Sequence, residues 1–341
     1  MSMISRQSIF VILPFLLWGT AMVVMKAIMP QTEPLFLAAV RLIPAGILLV
    51  GLAKFLGRSQ PQGWKAWLWI ILFGLIDGTL FQGFLAFGLE RTGAGLGSLL
   101  IDSQPLAVAI MAALFYQERI GKIAILGLGI GFMGIGLIGL PTQLWQFLLV
   151  GDFSIVWAAG VFSVGEWLML GAALAMAVGT ILIRPVVQNA DPVAATGWHM
   201  IIGGIPLLIL SNQIETSAWQ DLTAWGWLGM SYISVMGGAI AYGLFFYLAS
   251  SGNLTKLSAL TFSTPVFAII FGRIFLSETL TQVQWLGVAL TLTSIYMVSG
   301  RNSGDQSINE SDNLPEVKSE VKAIADEFKI EPIKNLIKND I

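Results

Sequence analysis

One stretch of this chain occurs twice, and the second copy fixes the spacing of everything between. Residues 98 to 118 read S-L-L-I-D-S-Q-P-L-A-V-A-I-M-A-A-L-F-Y-Q-E, and residues 258 to 278 read S-A-L-T-F-S-T-P-V-F-A-I-I-F-G-R-I-F-L-S-E. Ser98, Ser103, Pro105 and Glu118 therefore return as Ser258, Ser263, Pro265 and Glu278, each displaced by 160 residues. Both copies are too apolar for a helix facing water. A proline inside a helix removes one backbone hydrogen bond and costs about 3 kcal/mol, so a matched pair predicts two membrane helices broken at corresponding points.

The echo continues through the chain: Gly19-Thr20 as Gly179-Thr180, Trp67-Leu68 as Trp227-Leu228, Gly78 and Gly83 as Gly238 and Gly243, and Leu126-Gly127 as Leu286-Gly287. With 56% of residues hydrophobic and 11% charged, against roughly 25% charged in soluble domains, the chain is a polytopic membrane protein. The net charge of −2 is set by the end of the chain, where nine acids fall after Arg301. No cysteine is present, which removes thiol catalysis, disulfides and sulfur-ligated metals. The apolar run from Ile9 continues to Ile28 without a small-residue cleavage site, so it is expected to stay as the first spanning helix.

Apolar stretches of about 20 residues predict ten helices, near 8–28, 35–56, 67–88, 93–116, 123–141, 166–185, 193–211, 225–248, 256–276 and 283–300. Five helices per repeat is an odd number, so the second copy lies upside down relative to the first. The charges agree, because they do not repeat. The loop with Lys54, Arg58 and Lys65 corresponds to one with only Glu215 and Asp221. With the N-terminus inside, the inner segments hold Arg6, Lys54, Arg58, Lys65, Arg119, Lys122, Arg184, Lys256 and Arg301, and the outer ends only Lys26, Arg91 and Arg273. The excess of cations on one side puts both termini in the cytoplasm. The expected fold class is all-α integral membrane, ten helices as two inverted five-helix repeats. Its parts are residues 1–141, an external linker at 142–165, residues 166–301, and a polar cytoplasmic tail at 302–341, largely disordered. Trp145 and Trp157 suit a linker at headgroup level. In the tail, Val317, Val321, Ile324 and Phe328 share one helical face.

Trp18-Gly19, Arg41 in the second helix, and Pro105 followed by Glu118 and Gly127, with the second copy of that pattern, resemble the drug/metabolite transporter superfamily in its EamA-type branch. The resemblance covers about residues 8 to 300. It implies a central cavity and export or exchange of small metabolites such as amino acids, in the plasma (inner) membrane. It implies no cofactor, no metal and no nucleic acid. The partners are the bilayer, a small-molecule substrate and, as a coupling ion, protons. It leaves the substrate, the coupling ion, the direction and the oligomeric state open.

Five polar side chains lie deep in predicted spans: Arg41, Asp77, Asp102, Gln104 and His199. A charge at the bilayer centre costs at least about 2.5–3.5 kcal/mol, so such groups face a bundle interior or water. Asp77 and Asp102 correspond to Gly237 and Phe262 in the second copy, and this one-sidedness suits a substrate site better than a scaffold. A bare Arg41–Asp77 pair holding helices 2 and 3 together is the structural alternative. Arg41 lies eight residues after Glu33 and His199 eight after Asp191, which makes them counterparts. His199 is read either as a proton-sensitive site residue or as a hydrogen-bonded packing residue. Gln82 and Tyr242, with Phe81, Phe84, Phe245 and Phe246, share the glycine frame of helices 3 and 8, where the rings are read either as an amphipathic pocket or, equally, as ordinary packing. Pro105 and Pro265 mark the helix breaks, and Glu118 and Glu278 after them are read either as gates or as ordinary solvated loop residues. The three mid-membrane charges sum to −1, which suits a substrate bearing an ammonium group. An ATP-driven pump would need a phosphate-binding G-x-x-x-x-G-K-[ST] loop, which the sequence lacks. The competing classes are an intramembrane enzyme using Asp77 and Asp102 as an aspartyl pair, and a non-transporting scaffold or receptor.

Overall fold

The computed structural model describes residues 6–91, 100–139, 164–276 and 281–299. Within them the helices run in order: α1 (Arg6–Ile28), α2 (Pro34–Phe55), α3 (Gly63–Arg91), α4 (Gln104–Tyr116), α5 (Lys122–Gly139), α6 (Val164–Val187), α7 (Pro192–Ile214), α8 (Ala224–Ser251), α9 (254–276) and α10 (Gln282–Ser299). No described residue lies in a strand. Seven helices are long and apolar enough to cross a membrane, while α4, α5 and α10 are shorter apolar helices. The linker with Trp145 and Trp157, Glu278 and the tail lie outside the described residues.

Burial runs opposite to the habit of a water-soluble bundle. Large apolar side chains stand exposed along the outer faces, among them Leu68, Leu114, Ile125, Trp225 and Leu286. Polar ones such as Arg41, Asp77, Gln82, Gln104 and His199 are buried inside. Lipid covers the first set at no hydrophobic cost, and the second set is where a membrane bundle keeps its polar groups.

Helices approach closely where both partners lack side chains, as expected when tight packing drives association. A Cβ at Gly46 on α2 would stand 2.6 Å from the Gly197 oxygen on α7. A Cβ at Gly78 on α3 would stand 2.6 Å from Gly203 Cα, and one at Gly203 would stand 2.5 Å from the Gly74 oxygen. These neighbours are backbone and cannot swing aside. Gly78→Val is expected to force α3 from α7, costing about 1–3 kcal/mol by overpacking, and the check is a lower unfolding midpoint in detergent by intrinsic fluorescence. An unchanged midpoint would mean that the seam is not a packing contact.

The two proline breaks follow one plan. Pro105 and Pro265 sit in the first turn after each break rather than in a helix interior. The helix before Pro105 ends at Ile101, and a 3-10 turn at Leu260–Phe262 precedes Pro265. In both, the residue four before the proline is where the lost N–H leaves a carbonyl without its bond. The matched serines attend to the turn: Ser103 Oγ donates to the Leu100 oxygen at 2.6 Å, and Ser263 Oγ donates to the Leu260 oxygen at 2.6 Å.

A second recurring irregularity carries no sequence signal of its own. The middle of α3 is π-helical at Gly74–Phe81, and the middle of α8 is π-helical at Ile233–Ile240. Asp77 lies in the first and its counterpart Gly237 in the second. π-turns leave backbone groups free and cluster at functional positions. Here Trp18 Nε1 donates to the Gly237 oxygen at 3.0 Å, and Thr79 Oγ1 on α3 donates to the Gly203 oxygen at 2.8 Å.

Candidate functional site

Three stretches of the first half of the chain wall a cavity of about 190 Å³. Met25 and Met29 come from the end of α1 and the turn after it, Leu37, Ala38 and Arg41 from the first turns of α2, and Gln82, Leu85, Ala86 and Leu89 from the end of α3. Glu33 and the exposed Glu90 stand at its rim. Arg41, seven residues into α2, is about 10 Å below that rim at 1.5 Å per residue. Of the two readings of the aromatic rings, packing describes Phe81, Phe245 and Phe246. Phe81, Phe245 and Phe246 are buried in the packed core, with Trp18 and Phe245 at 5.1 Å and Phe245 and Phe246 at 5.1 Å between centroids. The wall is aliphatic and thioether instead. Methionines at the end of α1 carry no periodic signal that would have singled them out.

Arg41 is 8% exposed and has no ionic partner within reach among the described residues. Its Nη2 donates to the Tyr242 hydroxyl at 3.3 Å, its Nη1 meets the Met25 sulfur at 3.3 Å, and its Nε has no partner. Gln82 Nε2 donates to the same Tyr242 oxygen at 2.8 Å. A guanidinium is always charged, and a buried charge without a counter-ion is costly by several kcal/mol. The site is therefore incomplete, and an oxyanion with two oxygens in a plane is the shape that completes the guanidinium fork.

Asp77 and His199 form a second group beside this one, outside the cavity wall. His199 Nε2 lies 3.2 Å from Asp77 Oδ2, and both side chains are fully buried. The direct Arg41–Asp77 pair, one of the two readings from sequence, is not formed, because the π-turn aims Asp77 at α7. Gly179 makes the room: a Cβ there would collide with the Asp77 carboxylate. His199 Nδ1 lies 2.6 Å from the Thr196 oxygen, and the Phe73 ring stacks on the imidazole at 3.9 Å.

Gln104 is placed apart from the cavity, where it ties the two breaks together: its Nε2 donates to Thr180 Oγ1 at 3.3 Å and its Oε1 accepts from Thr261 Oγ1 at 3.5 Å. Asp102 sits half-buried in the turn of the first break and is not in the cavity wall. Glu118 joins three helices. Its carboxylate accepts from Arg184 Nη2 at 2.6 Å, from the Leu254 and Thr255 amides at 3.1 and 3.3 Å, and from Thr255 Oγ1 at 3.0 Å. Arg58 Nη1 donates to Asp191 Oδ2 at 3.0 Å. These bonds all join ends of helices away from the α1–α2 turn that rims the cavity.

The model of the EamA-like transporter family matches this chain twice, over residues 6–140 and 163–300. The chain belongs to the EamA-like transporter family. It is thus a multi-pass membrane transporter of the drug/metabolite transporter superfamily. It is 56% identical over 298 residues to an uncharacterized transporter of Synechocystis sp., covering 87% of this chain and 90% of that one. It is 48% identical over 296 residues to a WAT1-related chloroplastic protein of Arabidopsis thaliana, covering 86% of this chain and 69% of that one. Protein PecM of Dickeya dadantii is 28% identical over 286 residues, 82% of this chain and 88% of its own. A solved crystal structure with 16% identity superposes with a TM-score of 0.69 over 85% of this chain and 97% of that one, which speaks to the fold alone.

Proposed function

We propose that this EamA-like protein is a secondary transporter working by alternating access, with the Arg41 cavity as its substrate site and small amino acids or related amines carrying a carboxylate as its substrates. The observation that carries the reading is the buried Arg41 guanidinium in the cavity wall, with no carboxylate within ion-pair distance among the described residues. A cavity runs from Glu33 and Glu90 down to Arg41, and helix ends are tied on both sides of the bundle: by Glu118–Arg184 and Arg58–Asp191 away from the rim, and by Glu33 with Ser217 and Glu215 with Leu35 and Phe36 beside it. A carboxylate on Arg41 supplies the missing counter-ion, the methionine and leucine wall takes an apolar side chain, and the exposed Glu90 at the rim suits an ammonium group. The cavity is smaller than the roughly 300–1,000 Å³ of sites for drug-sized ligands, which favours a small metabolite.

In this reading ten helices span the membrane as two inverted five-helix repeats. Recurrence of the proline breaks and of the π-turns about 160 residues apart supports it, as does the double family match. The membrane is the plasma (inner) membrane and both termini are cytoplasmic, so the cavity faces outward, and the direction in cells is export. The test is exchange of radiolabelled leucine across proteoliposomes holding the purified full chain, with competition by other amino acids, by their decarboxylated amines and by their deaminated acids. The expected order is amino acids and deaminated acids ahead of amines, because the anchor is Arg41. Competition by the amines alone would overturn the carboxylate anchor, and no exchange of any amino acid would overturn the substrate class.

A further inference from the structure

We propose that Asp77 and His199 hold one exchangeable proton between them and form a proton-binding site walled off from the substrate cavity. The argument is a count of hydrogens. His199 Nδ1 stands 2.6 Å from the Thr196 carbonyl oxygen, which can only accept, so Nδ1 carries a hydrogen. The remaining nitrogen, Nε2, faces Asp77 Oδ2 at 3.2 Å. A neutral ring protonated at Nδ1 presents a lone pair at Nε2. Against an ionised carboxylate this would set two acceptors face to face and leave a net negative charge at a fully buried place. One further proton removes both faults, whether it resides on the ring or on the carboxyl. The pair as built is the loaded form.

The surroundings set how firmly the proton is held. Phe73 stacks on the ring at 3.9 Å, and an aromatic face stabilises an imidazolium. Among the described residues the charge that acts on the pair from another helix is Arg41 of α2, reached through Tyr242 of α8, whose hydroxyl accepts from Arg41 and whose ring centroid is 6.5 Å from that of His199. From α6 the neighbour is Gly179, which does not titrate. When Arg41 is bare, its charge offsets the negative charge left on the pair by proton loss. When a carboxylate neutralises Arg41, that compensation disappears and the proton is retained. Proton and carboxylate thus bind in support of one another, a coupling that is reciprocal by linkage. On the transport reading above, a bound carboxylate substrate and the proton hold one another in place. The proton site itself is independent of which substrate is carried.

His199 is the sole histidine of the chain, so nitrogen-labelled histidine gives a spectrum of one ring in the full-length protein. At neutral pH the expected result is a proton bonded to Nδ1 and a second one bonded to or shared by Nε2, lost on titration to alkaline pH while the fold persists. The Asp77→Asn variant is expected to show a ring protonated at Nδ1 only. The Arg41→Gln variant is expected to keep the second proton under alkaline conditions in which the wild type has released it. A wild-type ring that carries no proton on or shared by Nε2 beside an ionised Asp77, or a proton that never titrates in the folded protein, overturns the proposal. These spectra need no substrate, so failure of leucine exchange and failure of the proton site are separate results.

Discussion

Arg41→Gln is expected to remove most amino-acid exchange while leaving the protein folded. The cavity floor offers an incoming carboxylate one cation, and glutamine keeps a polar donor near Tyr242 but gives up the charge and the planar fork. Truncating one partner of a buried, hydrogen-bonded charge pair costs about 2–5 kcal/mol, which is a fall of roughly 30- to several-thousand-fold in kcat/KM. Arg41→Lys is expected to be nearly as poor, because an ammonium cannot make the two parallel bonds of a guanidinium. Folding should survive both changes, since the wild-type charge is a burden on the folded state rather than part of an ion pair. The measurement is initial exchange rate in proteoliposomes at matched protein content, beside an unfolding midpoint in detergent. Exchange within a factor of about three of wild type in Arg41→Gln, an effect below 1 kcal/mol, would mean that the substrate is held elsewhere.

Sequence alone carried the class of the fold further than the site. Apolar runs and the 160-residue echo announce helices in a membrane because lipid forbids unsatisfied backbone and proline leaves a trace. The break positions follow from Pro105 and Pro265, and even Ser103 and Ser263, whose hydroxyls donate to the carbonyls three residues before them, belong to the repeated stretch. The π-turns could not be read, because an extra residue in one helical turn has no residue type of its own. That omission mattered: without the π-turn, Asp77 was assigned to Arg41 as readily as to any other partner. His199 as its neighbour depends on the Gly78–Gly203 approach of α3 to α7. Arg41 was picked from sequence by its depth, Gln82 and Tyr242 by the glycine frame of their helices, and the three do meet, through the Tyr242 hydroxyl. The aromatic residues were picked by type, and they went to packing instead. A ring in a glycine-rich frame has a core to fill before it has a ligand to meet.

Glu118→Gln is expected to shift the bundle toward its opposite-facing form. Glu118 is 10% exposed, and its carboxylate holds the ends of α4, α6 and α9 together through four donors, one of them a guanidinium. Glutamine removes the charge and leaves one side-chain oxygen for all of them. Hydrogen bonds to a charged group contribute about 1.5–3 kcal/mol, so the ratio of the two forms should move roughly 10- to 160-fold. The absence of cysteine from the chain makes the measurement direct. Ala86→Cys puts one thiol in the cavity wall, and Ser258→Cys puts one at a fully buried position just beyond the Glu118 contacts. In the Glu118→Gln background a water-soluble thiol reagent should label Ser258→Cys faster and Ala86→Cys more slowly. Opposite changes at the two positions are the signature of one opening while the other closes. If both thiols become more reactive together, the bonds of Glu118 hold the bundle intact rather than choose its direction.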